Sequence, residues 1–134
     1  MRGLRLLIPF ASGSEQATRY ATIDLGEQPK FVTEEISEGD EMPLTNSPDN
    51  LTVTDVYVTP RDQESASVVI RVRLNGQLVF DETQDTDVFQ FAGDRVTRGE
   101  ALRVETLDYS VEGTITAVSD SEPSLDTAAR QVLI

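Results

Sequence analysis

Between Ser67 and Leu74 the apolar residues Val68, Ile70, Val72 and Leu74 share one parity, while Arg71 and Arg73 share the other with Val69. Period two is the period of an extended strand, so this segment buries one face and turns the other outward. A helix would scatter the same four residues around its circumference. Asn75-Gly76 follows directly, and this pair tolerates the positive φ angles of a two-residue type I′ turn. The sequence therefore predicts a hairpin, with Gln77–Phe80 returning antiparallel and Leu78 and Phe80 facing inward.

Similar alternation recurs along the chain. Leu4, Leu6 and Ile8 alternate with Arg5 and Leu7 up to Phe10, and Ala21, Ile23 and Leu25 alternate with Tyr20, Thr22 and Asp24 up to Gly26. From Glu27 to Asn50 the sequence is acidic and interrupted by Pro29, Pro43 and Pro48, which predicts a long excursion with one short strand near Phe31. Leu51 and Val53 lie on one parity and Val56 and Val58 on the other, so a β-bulge near Asp55 is needed to bring both pairs to one face. Val88–Phe91 predicts a short strand closed by Gly93-Asp94, and Arg98-Gly99-Glu100 marks another turn. Ala101–Leu107 alternates with Leu102 and Val104 inward. Tyr109 and Val111 continue after a second phase slip, and a last strand starts at Gly113 and runs through Val118. Strands at this spacing predict an all-β chain, an antiparallel β-sandwich of jelly-roll type or else a small barrel. Leu125, Ala128, Ala129, Val132 and Leu133 fall on a helical stripe, so a short C-terminal helix is expected, with a strand through Gln131–Ile134 as the alternative.

The 134 residues suit one domain. Residues 1–16 are expected to form an arm or strand, 27–50 the excursion and 121–134 a tail. The opening segment has arginines before an apolar run, as a signal peptide does, but Pro9 interrupts it early, and it is expected to belong to the folded or assembled structure.

Charge narrows the function classes. The chain carries 24 acidic residues against 11 basic ones, a formal net charge of −13, and Lys30 is its one lysine. Many carboxylates with almost no lysine fit a protein kept hydrated in concentrated salt. Such a surface repels phosphate backbones and anionic headgroups, so neither nucleic acid nor membrane is an expected partner. Without cysteine or histidine the chain has no thiol nucleophile, no imidazole acid or base and no zinc site of the usual kind. No catalytic or cofactor-binding residue is assigned, and no enzymatic activity, cofactor or small-molecule substrate is expected.

Asp81, Asp85 and Asp87 are the candidate ligands for a hard cation, although their segment lacks the spacing and glycine of a calcium loop and reads first as a solvated acidic loop. Asn50-Leu51-Thr52 is a glycosylation triplet. The apolar ends point to assembly: Leu4, Leu6, Ile8 and Phe10 on a slightly basic segment with Arg2, Arg5 and Arg19, and Val132, Leu133 and Ile134 at the other end. These seven are the candidate assembly contacts, and a homo-oligomer is expected.

The stretch from Val68 to Val118, with Arg73-Leu74-Asn75-Gly76-Gln77-Leu78-Val79-Phe80-Asp81 and Phe91-Ala92-Gly93-Asp94-Arg95-Val96-Thr97-Arg98-Gly99-Glu100-Ala101-Leu102, resembles jelly-roll and sandwich domains of virion structural proteins. With the salt-adapted composition it is similar to a haloarchaeal virus protein. The resemblance implies a capsid, capsid-decoration or tail component, assembled in the host cytoplasm and located in the virion, with copies of itself and other virion proteins as partners. Its motifs are turn chemistry and carry over no functional residue. A halophilic cell-surface module binding carbohydrate or protein is the alternative.

Overall fold

A computed structural model describes residues 14–122. The expectations for Leu4, Leu6, Ile8 and Phe10, for Val132, Leu133 and Ile134, and for a C-terminal helix lie outside these residues. The elements are β1 (Ser14–Pro29), α1 (Lys30–Thr33), β2 (Glu41–Pro43), β3 (Asn50–Pro60), β4 (Ser65–Asp81), β5 (Thr86–Phe91), β6 (Asp94–Arg95), β7 (Ala101–Glu105) and β8 (Ser110–Ser119).

All strand pairs are antiparallel and connect into one sheet, in the order β2-β3-β4-β1-β8-β7, with β5 also on β4 and β6 on β5. β4 is the spine. One of its edges runs the length of β1, from Val79 opposite Ser14 to Ser65 opposite Pro29. The other is shared, with β3 opposite Ala66 to Asn75 and β5 opposite Gln77 to Asp81. The register shifts between Thr22 and Ile23, between Asp24 and Gly26, and between Val53 and Asp55. Each shift adds local twist, and the sheet curls into a half-barrel around its apolar face. The all-β, antiparallel expectation holds in this form, as one curled sheet.

The core follows the parity of the sequence. Val68, Ile70, Val72 and Leu74 of β4 are at most 1% exposed, and they meet Ile23, Leu51, Val53, Val104 and Ile115 from the neighbouring strands. The bulge expected near Asp55 is present, and it lets Val56 pack against this core after Leu51 and Val53 have done so.

Several turn expectations are corrected. Asn75-Gly76 makes no hairpin, and β4 runs straight through it. The Asn75 side chain accepts a hydrogen bond from Thr18 Oγ1 on β1 (2.9 Å) and donates one to Asn50 Oδ1 on β3 (2.8 Å), so cross-strand partners hold it extended. Gly76 is needed for clearance, because an added Cβ would stand 2.8 Å from the Phe89 ring and closer still to the Gln90 carbonyl oxygen. The chain reverses instead through the loop Glu82-Thr83-Gln84-Asp85, and the two-residue turn with both φ angles positive falls at Ala92-Gly93, at 57° and 85°. Leu78 packs on the core as expected, but Phe80, near the hairpin end, is 48% exposed.

β1 does not end at Gly26 but bulges there, with φ at 71° and the Gly26 N–H donated to Asp24 Oδ1 at 2.8 Å. The segment at Phe31 is one helical turn rather than a strand. Tyr109 and Val111 do not extend the Ala101 strand, because the chain turns at 106–109. Gly113 lies inside β8 rather than at its start.

The two ends of the sheet order approach each other through side chains. The Glu105 N–H of β7 donates to Met42 Sδ of β2 at 3.0 Å, and Tyr109 Oη donates to Asp40 Oδ2 at 2.7 Å. Burial first, and the bond to Asp40 second, hold the Tyr109 phenol above its ordinary value of 10.0. Folding thus favours the neutral phenol, and this stabilisation is complete below pH 10 and is lost as pH rises beyond it. Tyr109→Phe is expected to cost about 1 kcal/mol near neutral pH and to remove this group's share of the alkaline loss. Urea titrations of both proteins at about pH 7 and about pH 11, either side of the ordinary phenol value, measure both effects.

Candidate functional site

The acidic hairpin end is the first place to look for chemistry. Asp81 closes β4, where its Oδ1 accepts the Thr83 N–H at 2.9 Å and its Oδ2 faces Arg95 Nη1 at 3.8 Å. Arg95 also reaches Gln84 Oε1 at 3.3 Å. Asp85 takes a left-handed turn position with φ at 54°, and Asp87 lies exposed in β5 opposite Phe80. The three sequence candidates share one hairpin, yet among the described residues no group of three or more carboxylates is gathered so as to hold a metal ion. Their surroundings are a solvated turn tied by one arginine.

Asp49 is the carboxylate that sequence reasoning missed. It is 4% exposed, the one buried polar or charged residue among those described. Its Oδ2 accepts the Ala92 N–H at 2.9 Å and its Oδ1 the Gln77 amide at 3.3 Å. It therefore joins the start of β3, the middle of β4 and the positive-φ turn after β5. Asn50 beside it is half-buried, its Oδ1 engaged by Asn75, so the glycosylation triplet opens on a residue built into the sheet.

The outer face of the curl carries a different chemistry. Arg71 and Arg73 alternate outward on β4, next to Thr22 and Tyr20 of β1 and to Asp55 and Thr52 of β3. The Arg71 guanidinium sits 5.5 Å from the Tyr57 ring centre, and among the described residues neither arginine forms an ion pair. A shallow cleft of about 210 Å³ opens beside Arg71, lined also by Tyr20, Thr22, Thr54 and Ser119. Its hydroxyls and single cation suit weak recognition of a polar or anionic group. Arg19, counted from sequence with the basic segment, instead covers Phe89 at 5.4 Å and donates to the Thr18 carbonyl oxygen.

The sheet leaves apolar surface open at its margins. Phe31 is 71% exposed on α1, Tyr57 and Val58 are 44% and 46% exposed on β3, and Leu107 is fully exposed in the β7–β8 turn. β2 covers β3 only at residues 50–52, and residues 39–40 bond to Val53. From Thr54 to Pro60 the outer edge of β3 has no backbone partner among the described residues. Also among the described residues, no helix is long and apolar enough to cross a membrane.

No family model, no curated protein and no solved structure matches this chain.

Proposed function

We propose that the chain is a non-enzymatic structural protein that assembles through its sheet surfaces and terminal segments, as a capsid, capsid-decoration or tail component of a haloarchaeal virion. The observation that carries the assembly reading is that among the described residues the sheet does not close, and apolar side chains stand at the margins of a half-barrel. Soluble proteins that act alone blunt or cover such edges. The virion setting draws support from the salt-adapted composition and from the Gly93-Asp94 to Gly99-Glu100 segment; the Asn75-Gly76 turn that also prompted it is absent. A jelly-roll-like sandwich in the strict sense belongs to the same proposal, supported by the two wings β3-β2 and β8-β7 folding over one core.

The test is the mass of the full chain by sedimentation in roughly 2–3 M salt, where charge repulsion is screened to about 2 Å, with and without residues 1–12. A discrete oligomer or shell that dissolves on truncation supports assembly through the terminal segment, and a monomer indifferent to truncation favours the second reading, a halophilic cell-surface or carbohydrate-binding module. What favours that one is the hydroxyl-lined cleft beside Arg71. Loss of oligosaccharide binding in Arg71→Ala would support it.

The salt adaptation has its own expected result. One ion pair is present among the described residues while 24 carboxylates crowd the chain, so repulsion opposes compaction when unscreened. The thermal midpoint is expected to fall as salt drops below roughly molar. A midpoint unchanged in salt-free buffer would sink the adaptation.

A further inference from the structure

The edge of β3 that has no partner among the described residues identifies one contact in more detail, resting on the assembly reading above. We infer that Thr54–Pro60 pairs antiparallel with the same edge of a second copy, centred on Tyr57, so that two half-barrels share one continuous sheet.

An open edge offers a row of N–H and C=O groups, and its natural occupant is an extended strand. The segment Thr54-Asp55-Val56-Tyr57-Val58-Thr59-Pro60 is self-complementary about Tyr57. Antiparallel pairing centred there sets Val56 opposite Val58 of the second copy, and Val58 opposite Val56, on the core side. Val56 is already half-buried against the core and Val58 is 46% exposed, so the pairing would extend each apolar interior across the join.

On the outer face the same register sets Tyr57 opposite its counterpart and Asp55 opposite Thr59. Asp55 then lies diagonal to Arg61 of the second copy, within reach of long side chains. The twofold relation repeats this, giving two opposite-charge pairs without any like-charge pair directly opposed. Pro60 at the end of the row limits the contact to this short stretch.

Sedimentation of the full chain at tens of micromolar in molar salt tests the pairing, with the variants Val58→Lys, Asp55→Arg, Arg61→Asp and the double swap Asp55→Arg/Arg61→Asp. The wild type is expected to self-associate, more tightly as salt rises. Val58→Lys is expected to weaken it at least about tenfold, each single swap by about two- to threefold because molar salt screens exposed pairs, and the double swap to restore it. Val58 is exposed, so an unchanged circular dichroism spectrum separates a lost contact from a lost fold. An oligomer that ignores Val58→Lys, or a double swap no better than the singles, overturns the edge pairing. If that oligomer dissolves on removal of residues 1–12, the assembly reading survives without it. A monomer throughout overturns both.

Discussion

Gly113→Ala is expected to destabilise the protein by about 3 kcal/mol or more, a large part of the roughly 5–15 kcal/mol that holds such a domain together. The sign is the informative part. Alanine in the middle of a strand is ordinarily better than glycine by about 0.5–1 kcal/mol, because glycine gives up more freedom on folding. At Gly113 the added Cβ would stand 2.8 Å from Ile23 Cγ2 and 2.9 Å from the Asp24 carbonyl carbon, and closer still to its oxygen. Ile23 is wholly buried, and Asp24 is paired with Thr114 across the ladder, so neither can withdraw without opening the contact between β1 and β8. Gly76→Ala should behave alike, since the backbone of Gln90 blocks it. Gly39→Ala supplies the contrast, with open space but φ at 95°, and should cost about 1 kcal/mol from backbone strain alone. Urea unfolding of the three variants at one salt concentration makes the comparison. A Gly113→Ala protein as stable as the wild type would mean that β1 and β8 are not packed this closely.

Asp49→Ala is expected to cost about 2 kcal/mol, because it removes the buried carboxylate that accepts from the Ala92 N–H and from the half-buried Gln77 amide. The Ala92 bond matters most. Alanine at φ of 57° is strained, and the Asp49 carboxylate offsets that strain by fixing the turn between β5 and β6. Asp49→Asn keeps one acceptor oxygen and should lose less than the alanine variant. Hydrogen exchange read at the Ala92 amide distinguishes the mechanisms. Protection there should collapse in Asp49→Ala before the amides of Val68–Leu74 are affected, whereas uniform loss would assign Asp49 to global stability.

Parity was legible from the residues alone, and it was enough for the β character and for most of the core. Val68, Ile70, Val72 and Leu74 are buried because alternate side chains on a strand must leave by opposite faces, whatever the strand pairs with. The bulge at Asp55 was legible for the same reason, since two apolar pairs of opposite parity share a face only if one residue is inserted between them. The acidic loop was visible as composition, but its scatter around a turn was not.

What the tertiary structure decided were the glycines, the buried acid and the open edge. Asn75-Gly76 has the local chemistry of a turn, yet glycine answers two needs, a positive φ or the absence of a Cβ. At Gly76 the second prevails because Phe89 and Gln90 cross above it. Asp49 is one carboxylate among 24, and it became buried through residues 28 and 43 positions away. That the edge of β3 has no further partner among the described residues likewise depends on β2 being three residues long. Parity is a property of the chain's own geometry, whereas clearance, burial of a charge and the vacancy of an edge are set by which strands become neighbours.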